Sequence, residues 1–408
     1  MANPHSCVHT SFLPTDIDLL RRYIDLGIRD VFSVPCSITD TWTRLALAAA
    51  RQREWNFHLT NHEGNLAGLA AGVYLGTGRT ALVHLQNSGL PNIGDGLISM
   101  ASPRVSGIPV ALLVTHRGAD TDDDSEPHQE IGRRTDALVE AILGEPANSF
   151  GAQSGADILS ALEQSIAAAQ RGGIGVLKLS EKAFMKSKVP AAGFPYGDIS
   201  RPRPTDLRGV KGILSCDPRL RFAKPICRDD AISAIADAHP DAASLYCNGY
   251  TARAARMVAD RPGNFYNVGY MGGTLAIGWS LAKCRPDLEV VVVDGDQNVL
   301  MSTMKEHLWS DYPANLHWYI LNNQIGASVG GAPSLPIPPT FHDLARVIEI
   351  VPDTLGSFQH PRVAASQAHF SQDPPEALAG RLSSLTWRFR QWAASPTATA
   401  SVTKGDLR

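Results

Sequence analysis

A chain of 408 residues, 44% hydrophobic and 19% charged, has length for two cores and the composition of an ordinary globular protein. Its formal net charge of -3 gives no electrostatic case for nucleic acid or anionic membrane, so the expected partners are small molecules or a second copy of the chain. The six cysteines, Cys7, Cys36, Cys216, Cys227, Cys247 and Cys284, form no C-x-x-C pair, which argues against a cysteine zinc site or a disulfide framework and fits a reducing cytoplasm. No apolar run approaches the ~20 residues that cross a bilayer, and no basic flank precedes an apolar stretch at the start. A soluble, untargeted, cytoplasmic protein is expected.

Residues 14–26 read as an amphipathic helix, with Ile17, Leu20, Tyr23 and Ile24 at helical intervals and Thr15 placed to cap it. A strand over 31–34, the turn Pro35-Cys36-Ser37, a helix over 38–51 and a strand over 57–59 continue the alternation. Glu63-Gly64-Asn65 then opens an Ala/Gly-rich helix ending near Gly76, whose small residues permit close packing. A strand over 80–85, a loop over 86–92, another helix and a strand over 110–115 complete a β/α series typical of a parallel sheet. From 186 to 224 the pattern changes to Pro, Gly and basic residues without periodicity, which reads as a linker. Alternation resumes with a helix from Asp229, a strand over 243–247, the segment 248–256, a Gly-rich turn over 269–273 and an apolar helix to Ala282. The expected fold is α/β, with domains over 1–185 and 225–408, each a parallel sheet flanked by helices. No short repeat is visible, although the two halves could be similar sheets with diverged sequences.

The run V-V-V-V-D-G-D-Q-N-V-L-M over 290–301 carries the sharpest chemistry. A buried strand there delivers Asp296 to its carboxyl end, and a second apolar run, 318–321, delivers Asn323 to the same edge. Mg²⁺ takes one or two such hard oxygen ligands from protein and fills its other positions with water and phosphate, so the pair points to a metal-bridged diphosphate. Alone, the same residues read equally well as a polar turn. Glu63 has two readings as well: a first-turn carboxylate favoured by the helix dipole, or a catalytic acid.

Several stretches combine with these: S-V-P-C-S over 33–37, E-G-N-L-A-G-L-A-A-G over 63–72, Q-N-S-G-L-P-N over 86–92, H-R-G over 116–118, E-P-H over 126–128, N-G-Y-T-A-R over 248–253, and the 294–331 region. In that order and spacing the chain resembles the phosphonopyruvate decarboxylase family of thiamine diphosphate (ThDP) enzymes, and is similar to the related sulfopyruvate decarboxylases. The resemblance implies a pyrimidine-binding first half and a diphosphate-binding second half. It places the cofactor between one subunit's first half and its partner's second half, in a homodimer or dimer of dimers. Glu63 would sit beside the aminopyrimidine. Asp296 and Asn323 would hold Mg²⁺ through side chains and Ile325 through its carbonyl. Asn248, Gly249, Tyr250, Met271, Gly272, Gly295, Gln297 and Asn298 would complete the cofactor site. Cys36, Ser37, Gln86 and Arg117 would meet the substrate, and Gln86, Asn87 and His128 would manage protons beside Glu63.

The implied reaction is ThDP- and Mg²⁺-dependent decarboxylation of 3-phosphonopyruvate to phosphonoacetaldehyde and CO₂ in phosphonate biosynthesis. Sulfopyruvate or another 2-oxoacid, carboligation, a non-catalytic ThDP-fold subunit and a Mg²⁺-diphosphate binding module stay open. So do blander readings of single residues. Cys36 can be a small turn residue, Arg117 a structural ion pair, and His128 part of a solvated acidic loop with Asp120, Asp122, Asp123, Asp124, Glu126 and Glu130.

The chain also departs from the family pattern. Gln297 replaces the second glycine of GDG, His116 stands where Trp is more frequent, and E-P-H-Q replaces E-P-Q-H. After residue 333 the last β/α unit is shortened, with 347–351 expected as the final strand and 378–393 as a helix carrying Trp387, Phe389 and Trp392.

Overall fold

Two parallel sheets organise the chain in this computed structural model, which describes residues 15–118, 124–144, 148–151, 155–180, 226–352 and 381–399. The expected linker, 186–224, and the acidic residues Asp120, Asp122 and Asp123 lie outside them. The first sheet is built from α1 (Asp16–Asp25), β1 (Asp30–Ser33), α2 (Asp40–Arg51), β2 (Asn56–Leu59), α3 (Leu66–Thr77), β3 (Ala81–Gln86), α4 (Leu90–Ala101), β4 (Val110–His116), α5 (Glu126–Leu143), β5 (Ser149–Gly151), α6 (Gly155–Gln170) and β6 (Ile174–Ser180). Its order is β2-β1-β3-β4-β6-β5, with every neighbouring pair parallel.

The second half follows with α7 (Arg228–Ala238), β7 (Ala243–Tyr246), α8 (Tyr250–Val258), β8 (Asn264–Tyr266), α9 (Thr274–Cys284), β9 (Val290–Gly295), α10 (Asp296–Met301), α11 (Lys305–Ser310) and β10 (Leu316–Asn322). A short hairpin of β11 (Ile325–Gly326) and β12 (Ala332–Pro333) then leads to β13 (Arg346–Glu349) and α12 (Arg381–Ala393). This sheet runs β13-β10-β9-β7-β8, again all parallel. Both sheets share one wiring: the second strand lies on one side of the first, and the third crosses to the other side. The halves are a topological repeat.

Local chemistry explains the elements. Thr15 and Asp18 form a reciprocal capping box at α1, with the Thr15 N–H donating to Asp18 Oδ2 at 2.8 Å. Val290 to Val293 are all fully buried, which a strand covered on both faces requires. The Ala/Gly run of α3 lets it lie directly on α9. A Cβ at Gly72 would sit 2.3 Å from the Ile277 carbonyl oxygen, and one at Gly68 would sit 2.8 Å from Ala276 Cβ. Ser280 Oγ donates to the Leu69 carbonyl at 2.7 Å across the same seam. These helices join the sheets through one continuous core that includes Leu69, Val73, Leu75, Leu275 and Leu281. Burying each such side chain contributes roughly 1.5–3 kcal/mol.

The structure adds α5, β5, α6, β6, β8, α11 and the β11–β12 hairpin to the elements expected from the sequence and corrects the expected loop over 86–92. There the chain makes a single 3-10 turn, Asn87–Gly89, and α4 begins at Leu90, with Pro91 in the first turn where its missing N–H costs nothing. The final strand falls where expected and pairs with β10. In α12, Phe389 is buried edge-on against Phe265, whereas Trp387 is 43% exposed.

Candidate active site

In open parallel sheets, ligands bind at the carboxyl ends of strands where the winding reverses. The second sheet reverses between β7 and β9. The residues at the carboxyl ends of those strands, Cys247-Asn248 and Gly295-Asp296, line one pocket with Asn323 and Ile325, which follow β10. Gly249, Tyr250, Met271, Gln297 and Asn298 complete the wall that the sequence anticipates. Gly272 stands behind it: its N–H donates to Asn298 Oδ1 at 2.8 Å, and at φ +72° a side chain there would be strained.

Asp296 is only 4% exposed, and burial raises its pKa. Its Oδ1 accepts the Gln297 N–H at 2.8 Å, whereas Oδ2 is buried and makes no well-formed hydrogen bond among the described residues, the Gln324 N–H and Ser334 hydroxyl near the carboxylate offsetting only part of its burial. An orphaned carboxylate oxygen facing a pocket costs free energy that a bound cation recovers. With the Asn323 side chain and Ile325 on the same wall, the donor set is all oxygen and suits Mg²⁺. Gln297 is accommodated by a neighbouring glycine: a Cβ at Gly326 would lie 2.6 Å from its Nε2. Behind the pocket, Asp294 is fully buried and accepts from Asn298 Nδ2 at 2.5 Å and Trp318 Nε1 at 3.0 Å. Burial pushes its carboxyl up to about 6.

Glu63 opens the turn before α3, half-buried, with Oε2 accepting from Asn92 Nδ2 at 3.0 Å. Its turn meets the pocket rim. Tyr270 Oη donates to the carbonyl of Gly64, the Met271 N–H donates to Asp95 Oδ2 at 3.1 Å, and Thr303 Oγ1 donates to Asn65 Oδ1 at 3.0 Å. The turn before α3 and the turn before α9 thus touch within one chain, because these helices pack on each other and carry both turns at their amino-terminal ends.

Comparison with known proteins decides what this geometry belongs to. Residues 17–138 match the family of thiamine pyrophosphate enzymes, N-terminal TPP binding domain. A phosphonopyruvate decarboxylase of Streptomyces hygroscopicus is 30% identical, covering 78% of this chain and 75% of that protein. The chain belongs to the phosphonopyruvate decarboxylase family. It is a ThDP-dependent 2-oxoacid decarboxylase. A second phosphonopyruvate decarboxylase, from Streptomyces viridochromogenes, is 27% identical over 78% of this chain and 76% of its own. A sulfopyruvate decarboxylase of Methanosarcina acetivorans is 28% identical over 66% of each. Among solved structures, the 4-hydroxybenzoylformate decarboxylase of Rhodococcus jostii RHA1 superposes with a TM-score of 0.54 at 12% identity, covering 83% of this chain and 99% of that one. That likeness speaks for the fold.

The first sheet reverses between β1 and β3, and the substrate residues proposed for this family member gather there. Cys36 Sγ lies 3.4 Å from Gln86 Oε1, Gln86 Nε2 donates to Ser88 Oγ at 3.0 Å, and Arg117 Nη1 donates to Ser37 Oγ at 3.3 Å. Three expectations change. Arg117 does not present an open fork: Nε and Nη2 donate to Asp124 at 2.7 and 3.3 Å, making the ion pair that was the alternative reading. Asn87 is fully buried and holds the end of β4, donating to the Arg117 carbonyl at 2.9 Å and to Thr135 Oγ1 at 2.8 Å, so its side chain does not reach a substrate. His128 is in the first turn of α5, not in a loop, because Pro127 starts a helix there. Its Nδ1 pairs with Asp124 Oδ1 and Ser125 Oγ, both at 2.8 Å. Arg117 and His128 together hold the Asp124 carboxyl well below the usual range. His116 bonds through Nε2 to the Gly132 carbonyl at 3.0 Å, anchoring α5.

Sequence reasoning missed Arg228, Thr251, Gly326 and Ser328 on the pocket wall. Arg228 opens α7, is 7% exposed, and donates to Thr251 Oγ1 at 3.0 Å, bringing a buried cation to the pocket wall. No motif marks it; only the packing of α7 against α8 brings it there.

Proposed function

We propose that this enzyme converts 3-phosphonopyruvate, with one proton, to phosphonoacetaldehyde and CO₂, using Mg²⁺ with ThDP, as a step of phosphonate biosynthesis. The observation that carries the cofactor half is the orphaned Asp296 oxygen on the pocket wall beside Asn323 and Ile325. These three would hold Mg²⁺ against the diphosphate, with Asn248 to Tyr250 and Gln297 along its length and Arg228 supplying positive charge. Bound ThDP supplies an electron sink that makes loss of CO₂ from a 2-oxoacid feasible.

The chain's own groups do the rest. Glu63, steered by Asn92, would hold a proton at the aminopyrimidine. Met271, on the rim where the two turns meet, would support the ring. Gln86 and Cys36, 3.4 Å apart, would lie toward the substrate, and His128, engaged through Nδ1, would exchange protons through Nε2. Phosphonopyruvate is preferred over sulfopyruvate because the relatives named for it match more of the chain. The Arg117 side chain beside Ser37 offers the cation that a phosphonate needs once Asp124 yields a donor.

A homodimer or dimer of dimers is the proposed assembly, on the resemblance to a family with sites between subunits. Co-expressing Glu63→Gln with Asp296→Ala reads this: regained activity means exchange of halves, and none means each chain closes its own site. The domain limits, 1–185 and 225–408, belong to the same proposal. Assays of CO₂ release from phosphonopyruvate, sulfopyruvate and pyruvate test the substrate. Fastest turnover of phosphonopyruvate is expected, and faster turnover of either competitor would reject it.

A further inference from the structure

The edge of the second sheet opposite the pocket carries a cluster that ThDP chemistry does not use. His239 caps the end of α7, Glu289 precedes β9, and His317 is the second residue of β10. Their three ligand atoms all lie within 4.8 Å of one another. Glu289 Oε1 is 2.8 Å from His239 Nδ1 and 3.1 Å from His317 Nε2, close to the edge of about 3.3 Å that a tetrahedron with zinc bond lengths defines. We propose that His239, Glu289 and His317 form a binding site for a transition-metal dication of the Zn²⁺ type, separate from the cofactor pocket.

The chemistry of the donors selects the ion. Two imidazoles and one carboxylate form a set that zinc accepts and that Mg²⁺ and Ca²⁺, which take oxygen ligands, do not. The far side of the buried imidazole is already arranged. His239 Nε2 lies 2.8 Å from Tyr319 Oη, and a proton held there leaves the Nδ1 lone pair for a metal. This hydroxyl is the outer support that metal-bound histidines characteristically have. His239 is fully buried, whereas the side chains of Glu289 and His317 are 28% and 21% exposed. An ion can therefore enter from solvent, and water fills the fourth position.

Binding substitutes one bridge for another. The protons now shared between the carboxylate and the two rings leave, and the dication takes their place. The ion would tie the end of α7 to the starts of β9 and β10, the two strands whose other ends carry Asp296 and Asn323. Its role is structural.

The test uses the full-length protein and Zn²⁺ alone, by equilibrium dialysis, with the unfolding temperature read in parallel. One equivalent of Zn²⁺ is expected in the wild type and in Asp296→Ala, undisturbed by excess Mg²⁺ and accompanied by a rise in unfolding temperature. His317→Ala should weaken binding by more than about 100-fold and abolish that rise, while Tyr319→Phe should weaken it by about tenfold. Decarboxylation by His317→Ala should persist when the cofactors are supplied. Should His317→Ala misfold, His317→Gln serves the same purpose. Zn²⁺ binding unaffected by the His317 substitutions, abolished by Asp296→Ala, or absent from the wild type would overturn the proposal.

Discussion

Gly89 faces Glu63 so closely that a Cβ at position 89 would lie 2.5 Å from Glu63 Cγ and 2.7 Å from its Oε1. The turn after β3 thus sets the position of the carboxylate, and Asn92 fixes its other oxygen from the following helix. Gly89→Ala should leave the fold intact and displace Glu63. A misplacement of ~1 Å costs about 100-fold in rate. Steady-state kinetics with circular dichroism as control check this, and an Ala variant as fast as the wild type would show that the carboxylate position is not critical.

Asp296→Ala removes the orphaned oxygen from the pocket. ThDP affinity at limiting Mg²⁺ should fall by about tenfold or more, which is roughly 1.4 kcal/mol. Calorimetric titration of ThDP at several Mg²⁺ concentrations measures it. Equal affinities would remove Asp296 from the metal site.

The α3–α9 seam should be intolerant of added atoms. A Cβ at Gly72 would meet backbone of α9, at 2.3 Å from the Ile277 carbonyl oxygen, where a side-chain rotation gives no relief. Gly72→Ala is therefore expected to lower the unfolding free energy by about 1–3 kcal/mol in urea denaturation. An unchanged midpoint and slope would mean that the two helices separate readily.

His84 provides a pH signature beneath the substrate edge. It is fully buried and bonded to Ser33 and Thr115, and burial lowers its pKa from 6.5 to about 4. A depressed folded value means that the unfolded chain binds the proton more tightly. The contribution of neutral His84 is present above pH 6.5 and is lost as pH falls toward 4, by up to about 3 kcal/mol. Comparing wild type with His84→Gln by urea unfolding between those limits should show the wild type losing more stability on acidification. Parallel curves would contradict this assignment.

The sequence makes part of this legible because contiguous motifs follow strand ends. Val290 to Val293 announce a doubly covered strand, and whatever follows such a strand must reach the sheet edge where ligands bind, so Asp296 and Asn323 can be read directly. The glycine spacing in α3 likewise announces close packing. Arg228 could not be found that way, since it enters the pocket through packing of α7 on α8. Asn87 shows the complementary failure: residue type suggests chemistry, but only its burial and its bonds to the Arg117 carbonyl and Thr135 reveal that it is clamped under β4, just as only the fold shows Arg117 and His128 sharing Asp124. The shared winding of the sheets left no visible repeat either, because backbone topology survives substitution of nearly every side chain.

The proposed reaction turns on Glu63 acting on ThDP held by the pocket of Asp296 and Asn323. The most direct measurement is hydrogen–deuterium exchange at the thiazolium C2 of bound ThDP, in the wild type and in Glu63→Gln. Exchange slowed by about 100-fold or more, with ThDP affinity unchanged, is the predicted result. Exchange equally fast in both proteins would contradict it.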